Sequence, residues 1–314
     1  MDSRIDQRLN DLYQRLGSVT PPETISQSAF DGDPAHLERL AKLRLGQRVT
    51  GIDLADYMDD VLYGEIQSSL LVHALPFCVR AWHDYLRDEQ FDCPGFVELF
   101  YTVLAKKEIF TGILTDDQRE ALLGFMRDSI LEEIDAQDRL RFEGYPAAPH
   151  RWIRALTTYG VIAPDIEHLW MNWWSISTIG RAISAVQYAS CLVYPKDSNP
   201  VFAPWTREKG GGPPCLWEFD GYLYESTWKS QNVDFLQRLF RDPQIIISVI
   251  RKAVLSLSQH DGFFTAQQLL ADSESPSANL KLRGAAETLS ERLAALPGIL
   301  GTGGTPEATD LWPD

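Results

Sequence analysis

Hydrophobic positions recur along this chain at helical rather than strand spacing. Ile5, Leu9, Leu12 and Leu16 follow at intervals of four, three and four residues, one stripe on a 3.6-residue helix. Gly17 and the Pro21-Pro22 pair end that helix, and a polar linker runs to Asp33. Pro34 suits a first helical turn, and Leu37, Leu40 and Ala41 carry a second helix to Leu45. Thr50 to Tyr63 reads as a third, with Ile52, Ala55, Met58 and Leu62 inward and Asp53, Asp56, Asp59 and Asp60 outward. Residues 66–87 give one helix or two, with Pro76 as the break or kink, and residues 95–105 give another. Thr115-Asp-Asp-Gln118 is a capping box. It opens a long helix to about Leu140, with Leu122, Phe125, Met126, Ile130 and Ile134 on the core side.

The second half continues the pattern after a Pro-containing break at 145–150. Helices are expected over 150–160 and 165–193, then over 231–240, 243–259, 265–272 and 277–296. Residues 195–215 are rich in Pro and Gly and read as a surface loop. Aromatic runs on either side of Asp220-Gly221 predict a β-hairpin at 216–225. Residues 298–314 read as a flexible tail. The expected fold is all-α, an array of about ten to twelve helices with one small hairpin insertion. Three segments are expected: an acidic helical lobe (1–145), a Trp-rich helical lobe (146–297) and the tail. No fixed-period repeat points to a solenoid.

Charge sharpens this picture. The chain carries 44 acidic and 29 basic residues, a net charge of −15. That excludes the basic footprint that nucleic acid or an anionic membrane needs. The excess is uneven: residues 1–140 hold 26 acids against 14 bases, residues 141–314 hold 18 against 15. Such a surface steers a basic partner. Cys78, Cys93, Cys191 and Cys215 lack Cys-x-x-Cys spacing, as expected of reduced cytoplasmic thiols. The charged first helix is no secretory signal. The apolar run Ile176–Tyr194 carries Arg181 and Gln187, so it reads as a buried helix rather than a membrane span.

Three clusters of residues could carry function. Asp56-Tyr-Met-Asp59-Asp60 contains the letters of a polymerase motif, but that motif needs a β-hairpin and this segment has helical periodicity. As Asp-x-x-Asp-Asp on a helix it resembles the carboxylate motif of class I terpenoid synthases. That resemblance implies an all-α enzyme in which Asp56, Asp59 and Asp60 hold Mg²⁺ and a diphosphate substrate. The family's second metal motif is not matched: from Asn172, the next two ligand positions are Ile176 and Gly180. Glu132, Glu133, Asp135 and Asp138 form a second acidic group at the end of the capping-box helix, where the helix dipole disfavours anions. Ion pairs with Arg139 and Arg141, or a basic partner, would account for them. Trp170, Trp173 and Trp174 share one helix face, as core residues do. The alternative is an aromatic small-molecule pocket bounded by Trp170, Trp174, Trp217 and Trp228.

The six histidines show no metal-ligand spacing, and His83-Asp84 and Glu167-His168 are neighbours that point apart. No nucleophile elbow, P-loop or dinucleotide fingerprint occurs. No catalytic residue, metal ligand or cofactor is therefore assigned from the residues alone.

Residues 54–86 and 96–135 resemble a group of uncharacterised bacterial helical proteins. The likeness rests on Leu75-Pro76 before Trp82, and on Leu114-Thr115-x-x-Gln118-Arg119 opening a helix with Phe125. It implies a helical fold and a place among toxin–immunity and other accessory proteins. The resulting expectation is a non-enzymatic immunity-type or adaptor protein that offers its acidic first lobe to a basic protein, such as a toxin. Its partner face would draw on Asp53, Asp56, Asp59, Asp60, Glu132, Glu133, Asp135 and Asp138.

Overall fold

A computed structural model describes residues 3–16, 21–30, 32–44, 47, 49–87, 94–106, 109–140, 148–194, 199, 201 and 229–278. Regular structure among the described residues is helical throughout. The expected hairpin at 216–225, Trp217, Trp228 and the tail lie outside these residues, as does most of the helix expected at 277–296. The chain divides into two compact units, Met1–Ile130 and Leu131–Asp314. The division falls inside a helix rather than at the Pro-containing stretch near 145–150.

The first unit holds α1 (Ser3–Arg15), α2 (Ala35–Ala41), α3 (Gly51–Tyr63), α4 (Ser68–Arg87), α5 (Pro94–Lys106), a π-helical turn (Ile109–Ile113) and most of α6 (Asp116–Asp135). The α1 stripe is as expected: Ile5, Leu9, Leu12 and Leu16 are all buried. Polar bonds fix the same helix. Arg80 of α4 reaches Asp6 at 2.7 Å, and Arg8 donates to the Phe125 carbonyl and the Ser129 hydroxyl of α6. Pro76 does not divide α4, which runs unbroken with the proline buried inside it. The capping box forms as the sequence predicts. The Thr115 amide donates to Gln118 Oε1 at 2.9 Å, and the Gln118 amide donates back to Thr115 Oγ1 at 3.3 Å.

The second unit holds the end of α6, α7 (Ala148–Ile162), α8 (Ile166–Trp173), α9 (Ile179–Val193), α10 (Ser230–Arg241), α11 (Pro243–Ser256) and α12 (Phe263–Ser273). Helix α9 lies at its centre, packed by α7, α11 and α12. Every residue from Ala182 to Val193 is buried, as a helix that is apolar or small on all sides requires. Two of its buried polar side chains bond outside the helix: Ser184 Oγ accepts from the Trp173 indole at 2.8 Å, and Gln187 Nε2 donates to the Arg139 carbonyl at 2.9 Å. Asn232 joins three chain segments. Its amide donates to the Gly160 and Ala163 carbonyls, and its oxygen accepts from the Ile166 amide.

The single helix expected over 165–193 is two helices. The chain turns at 174–178, where Ile176 adopts φ 55°, a left-handed conformation that a β-branched residue rarely tolerates. Thr178 then caps α9 by accepting from the Arg181 amide.

Candidate functional site

Helix α3 begins at Thr50, whose hydroxyl accepts from the Asp53 amide. Its inward stripe is Leu54, Tyr57, Met58 and Val61, all nearly inaccessible. This corrects the expected orientation by about a quarter turn, because Ile52 points outward and is 64% exposed. At the other end Tyr63 is 63% exposed.

The four aspartates of α3 do not share one environment. Asp60 is buried, not solvated: Oδ2 lies 2.5 Å from His36 Nε2, and Oδ1 accepts from the Phe30 amide at 2.6 Å. Asp53 meets Arg39, whose Nη2 approaches Oδ1 at 2.6 Å while Nε lies 3.2 Å from each carboxylate oxygen. The Arg39 hydrogen bond holds the Asp53 carboxyl below its ordinary pKa. Asp56 and Asp59 are half-buried on the outer side; among the described residues neither shows a salt bridge, although the Asp56 charge acts on Arg39. Partial burial, then the neighbouring carboxylates of Asp56 and Asp60, push the Asp59 pKa up. Asp59 therefore bears a charge that its surroundings disfavour.

An extended segment is strapped beside this helix. Gln67 holds it by accepting from the Ser26 amide at 2.8 Å and donating to the Thr24 carbonyl at 2.8 Å, while the Gln27 side chain accepts from the Gln67 amide. Together with the Asp60 bond, this strap sets Phe30 beside Tyr63, ring centroids 4.8 Å apart. Phe30 is 64% exposed. The outer face of α3 is thus a stripe of Ile52, Asp56, Asp59 and Tyr63, widened by Phe30 at one end. The sequence reading missed Ile52, Tyr63 and Phe30. A hydrophobic-period fit centred on Leu54 would have found the first two.

The second acidic group is largely absorbed by the fold. Glu133 is buried and accepts from Gln137 at 3.0 Å. Asp135 accepts from Arg181 Nε at 2.8 Å, Arg181 Nη2 at 3.1 Å and the Thr178 hydroxyl at 2.6 Å. Its partner is therefore Arg181, while the expected Arg139 pairs with Asp138 at 3.3 Å and Arg141 lies outside the described residues. Arg181 also donates to Asn172 and Ser177 across the 174–178 turn. Asp138 is exposed beside Arg139, and Glu132 is half-buried.

Trp170 and Trp174 are buried, and the other two bounds of the expected pocket, Trp217 and Trp228, lie outside the described residues. With Trp152, Trp173, Tyr188 and Phe235, Trp170 and Trp174 form an edge-to-face cluster with centroids 5.2–6.4 Å apart. His83 is buried too. Cys78 and Cys191 are buried free thiols, and burial raises the Cys78 pKa. A groove of about 260 Å³ between α1 and α6 is lined by Arg8, Arg15 and Arg127 against Asp11, Glu120 and Asp128. Its charges balance, so it selects neither sign.

Asp56, Asp59 and Asp60 do not converge on one point, because Asp60 is turned to His36. Among the described residues no group of three or more His, Cys, Asp or Glu is arranged to hold a metal ion. No described helix is long and apolar enough to cross a membrane. No family model matches the chain, and neither the curated proteins nor the solved structures compared with it give a match.

Proposed function

We propose that this is a non-enzymatic binding protein, of immunity or adaptor type, that offers the outer face of α3 to a basic protein. One observation carries the reading: among the described residues Asp59 is half-buried with no cation paired to it, and Asp56 only shares the field of Arg39, whose hydrogen bonds go to Asp53. A solvated acidic face kept only for solubility has no reason to place a carboxylate where burial and two like charges disfavour it. A cationic partner relieves that cost and gains association rate from the net charge. The resemblance to accessory helical proteins points the same way, toward a toxin as the basic protein. The terpenoid-synthase reading has no comparable support, since its three aspartates face different surroundings.

The test is affinity capture from the cells that make the protein, with wild type and an Asp56→Asn/Asp59→Asn variant run side by side. At least one basic protein should be depleted about tenfold on the variant, equivalent to about 1.4 kcal/mol. Equal retention of every captured protein by two equally folded baits rejects the proposal.

A further inference from the structure

The outer stripe of α3 carries more information than its charge. Ile52, Asp56, Asp59 and Tyr63 stand at i, i+4, i+7 and i+11, so two apolar side chains bracket two carboxylates. Helical rise puts the ends about 16 Å apart and the carboxylates about 4.5 Å apart along the axis. Phe30 adds a second exposed ring to the Tyr63 end and is held there by its amide bond to Asp60.

We infer that the occupant of this face is an amphipathic helix of a partner protein, setting two arginines between two apolar anchors. This rests on the reading of the α3 face as the binding surface. Two features favour a helix. The spacing of the stripe is itself helical, so a partner with the same spacing aligns along it as ridges align with grooves. The face also offers no strand edge to which an extended peptide could add. Arginine fits better than lysine because one planar fork can bridge adjacent carboxylates and stack on the Tyr63 and Phe30 rings. A second copy of this chain is a poor occupant, since each molecule carries a net charge of −15 and the same acids would meet.

The probe is a stapled helical peptide of about 18 residues carrying Leu, Arg, Arg and Leu at the stripe's spacing, compared with one of identical composition whose arginines lie on the opposite face. Binding to the full chain is measured by titration calorimetry at two salt concentrations. The patterned peptide should bind about tenfold more tightly than its control. Phe30→Ala/Tyr63→Ala should weaken it about tenfold with the salt dependence kept, whereas Asp56→Asn/Asp59→Asn should weaken it about tenfold and reduce the salt dependence. Both aromatic rings are exposed, so an unchanged Tm confirms that the fold is intact. Equal binding of the two peptides, no binding of either, or a chain that dimerises through this face overturns the inference. If the aspartate variant loses binding and the aromatic variant does not, the helical anchors are wrong and the acidic face still stands.

Discussion

Two acidic groups, on the outer side of α3 and at the end of α6, look alike in sequence and behave oppositely in the fold. At the end of α6, Asp135 takes three hydrogen bonds from Arg181 and Thr178, and Glu133 is buried against Gln137. These acids hold the second unit together. On α3, Asp53 and Asp60 are likewise absorbed by Arg39 and His36, whereas among the described residues Asp59 meets no cation and Asp56 only shares the field of Arg39. Density of acid along a chain therefore says little. What separates structural from available carboxylates is whether the fold brings a cation to them.

The largest effect should come from Gly180, at the start of α9. A Cβ there collides with the backbone carbonyls of Asp135 and Ile134, which cannot move aside as a flexible side chain could. Gly180→Ala should cost about 3 kcal/mol or more in denaturant unfolding. Arg181→Ala comes next, on the order of 2 kcal/mol, because it strands a part-buried carboxylate. A double-mutant cycle with Asp135→Asn should show strong coupling, while Asp56→Ala and Asp59→Ala together should leave stability nearly unchanged. If the α3 pair proves as costly as Arg181→Ala, the contrast between the two groups is lost.

Smaller effects carry opposite signs within α3. The Asp53 pKa is held below its ordinary value, so its contribution is present above about pH 4 and fades as pH falls through the carboxylate range. Asp53→Asn should lower Tm slightly at neutral pH and converge with wild type in acid. The Asp59 pKa is raised, so the folded state takes up a proton first and gains relative stability as pH falls. Asp59→Asn should raise Tm by about 1 °C at pH 7, with the gain vanishing below about pH 4. A Tm that falls instead would mean that Asp59 has a stabilising partner.

Local signals were legible in the sequence and long-range ones were not. The α1 stripe, the Thr115–Gln118 capping box and the burial of α9 all follow from residues within one or two turns of each other. The turn at 174–178 was written in Ser175, Ser177 and Thr178, which favour caps over helix interiors, but the apolar residues around them outweighed that signal. Asp60 was assigned to the surface because its partner, His36, lies 24 residues away. Asp135 reads as a local ion pair with Arg139 or Arg141, or as a contact for a basic partner, because Arg181 is 46 residues distant. Ile52 reads as inward when four aspartates mark one outer face.

Asp53 and Asp59 lie six residues apart on one helix and should titrate in opposite directions. Carbon-13 side-chain carboxyl titration of the folded protein measures both in one experiment. The account predicts Asp59 above the ordinary carboxylate value and Asp53 below it, with the Asp53 shift lost in Arg39→Ala and the Asp59 shift retained. An Asp59 that titrates at or below Asp53 would mean that its charge is already compensated, and the outer face of α3 would have nothing left to offer a basic partner.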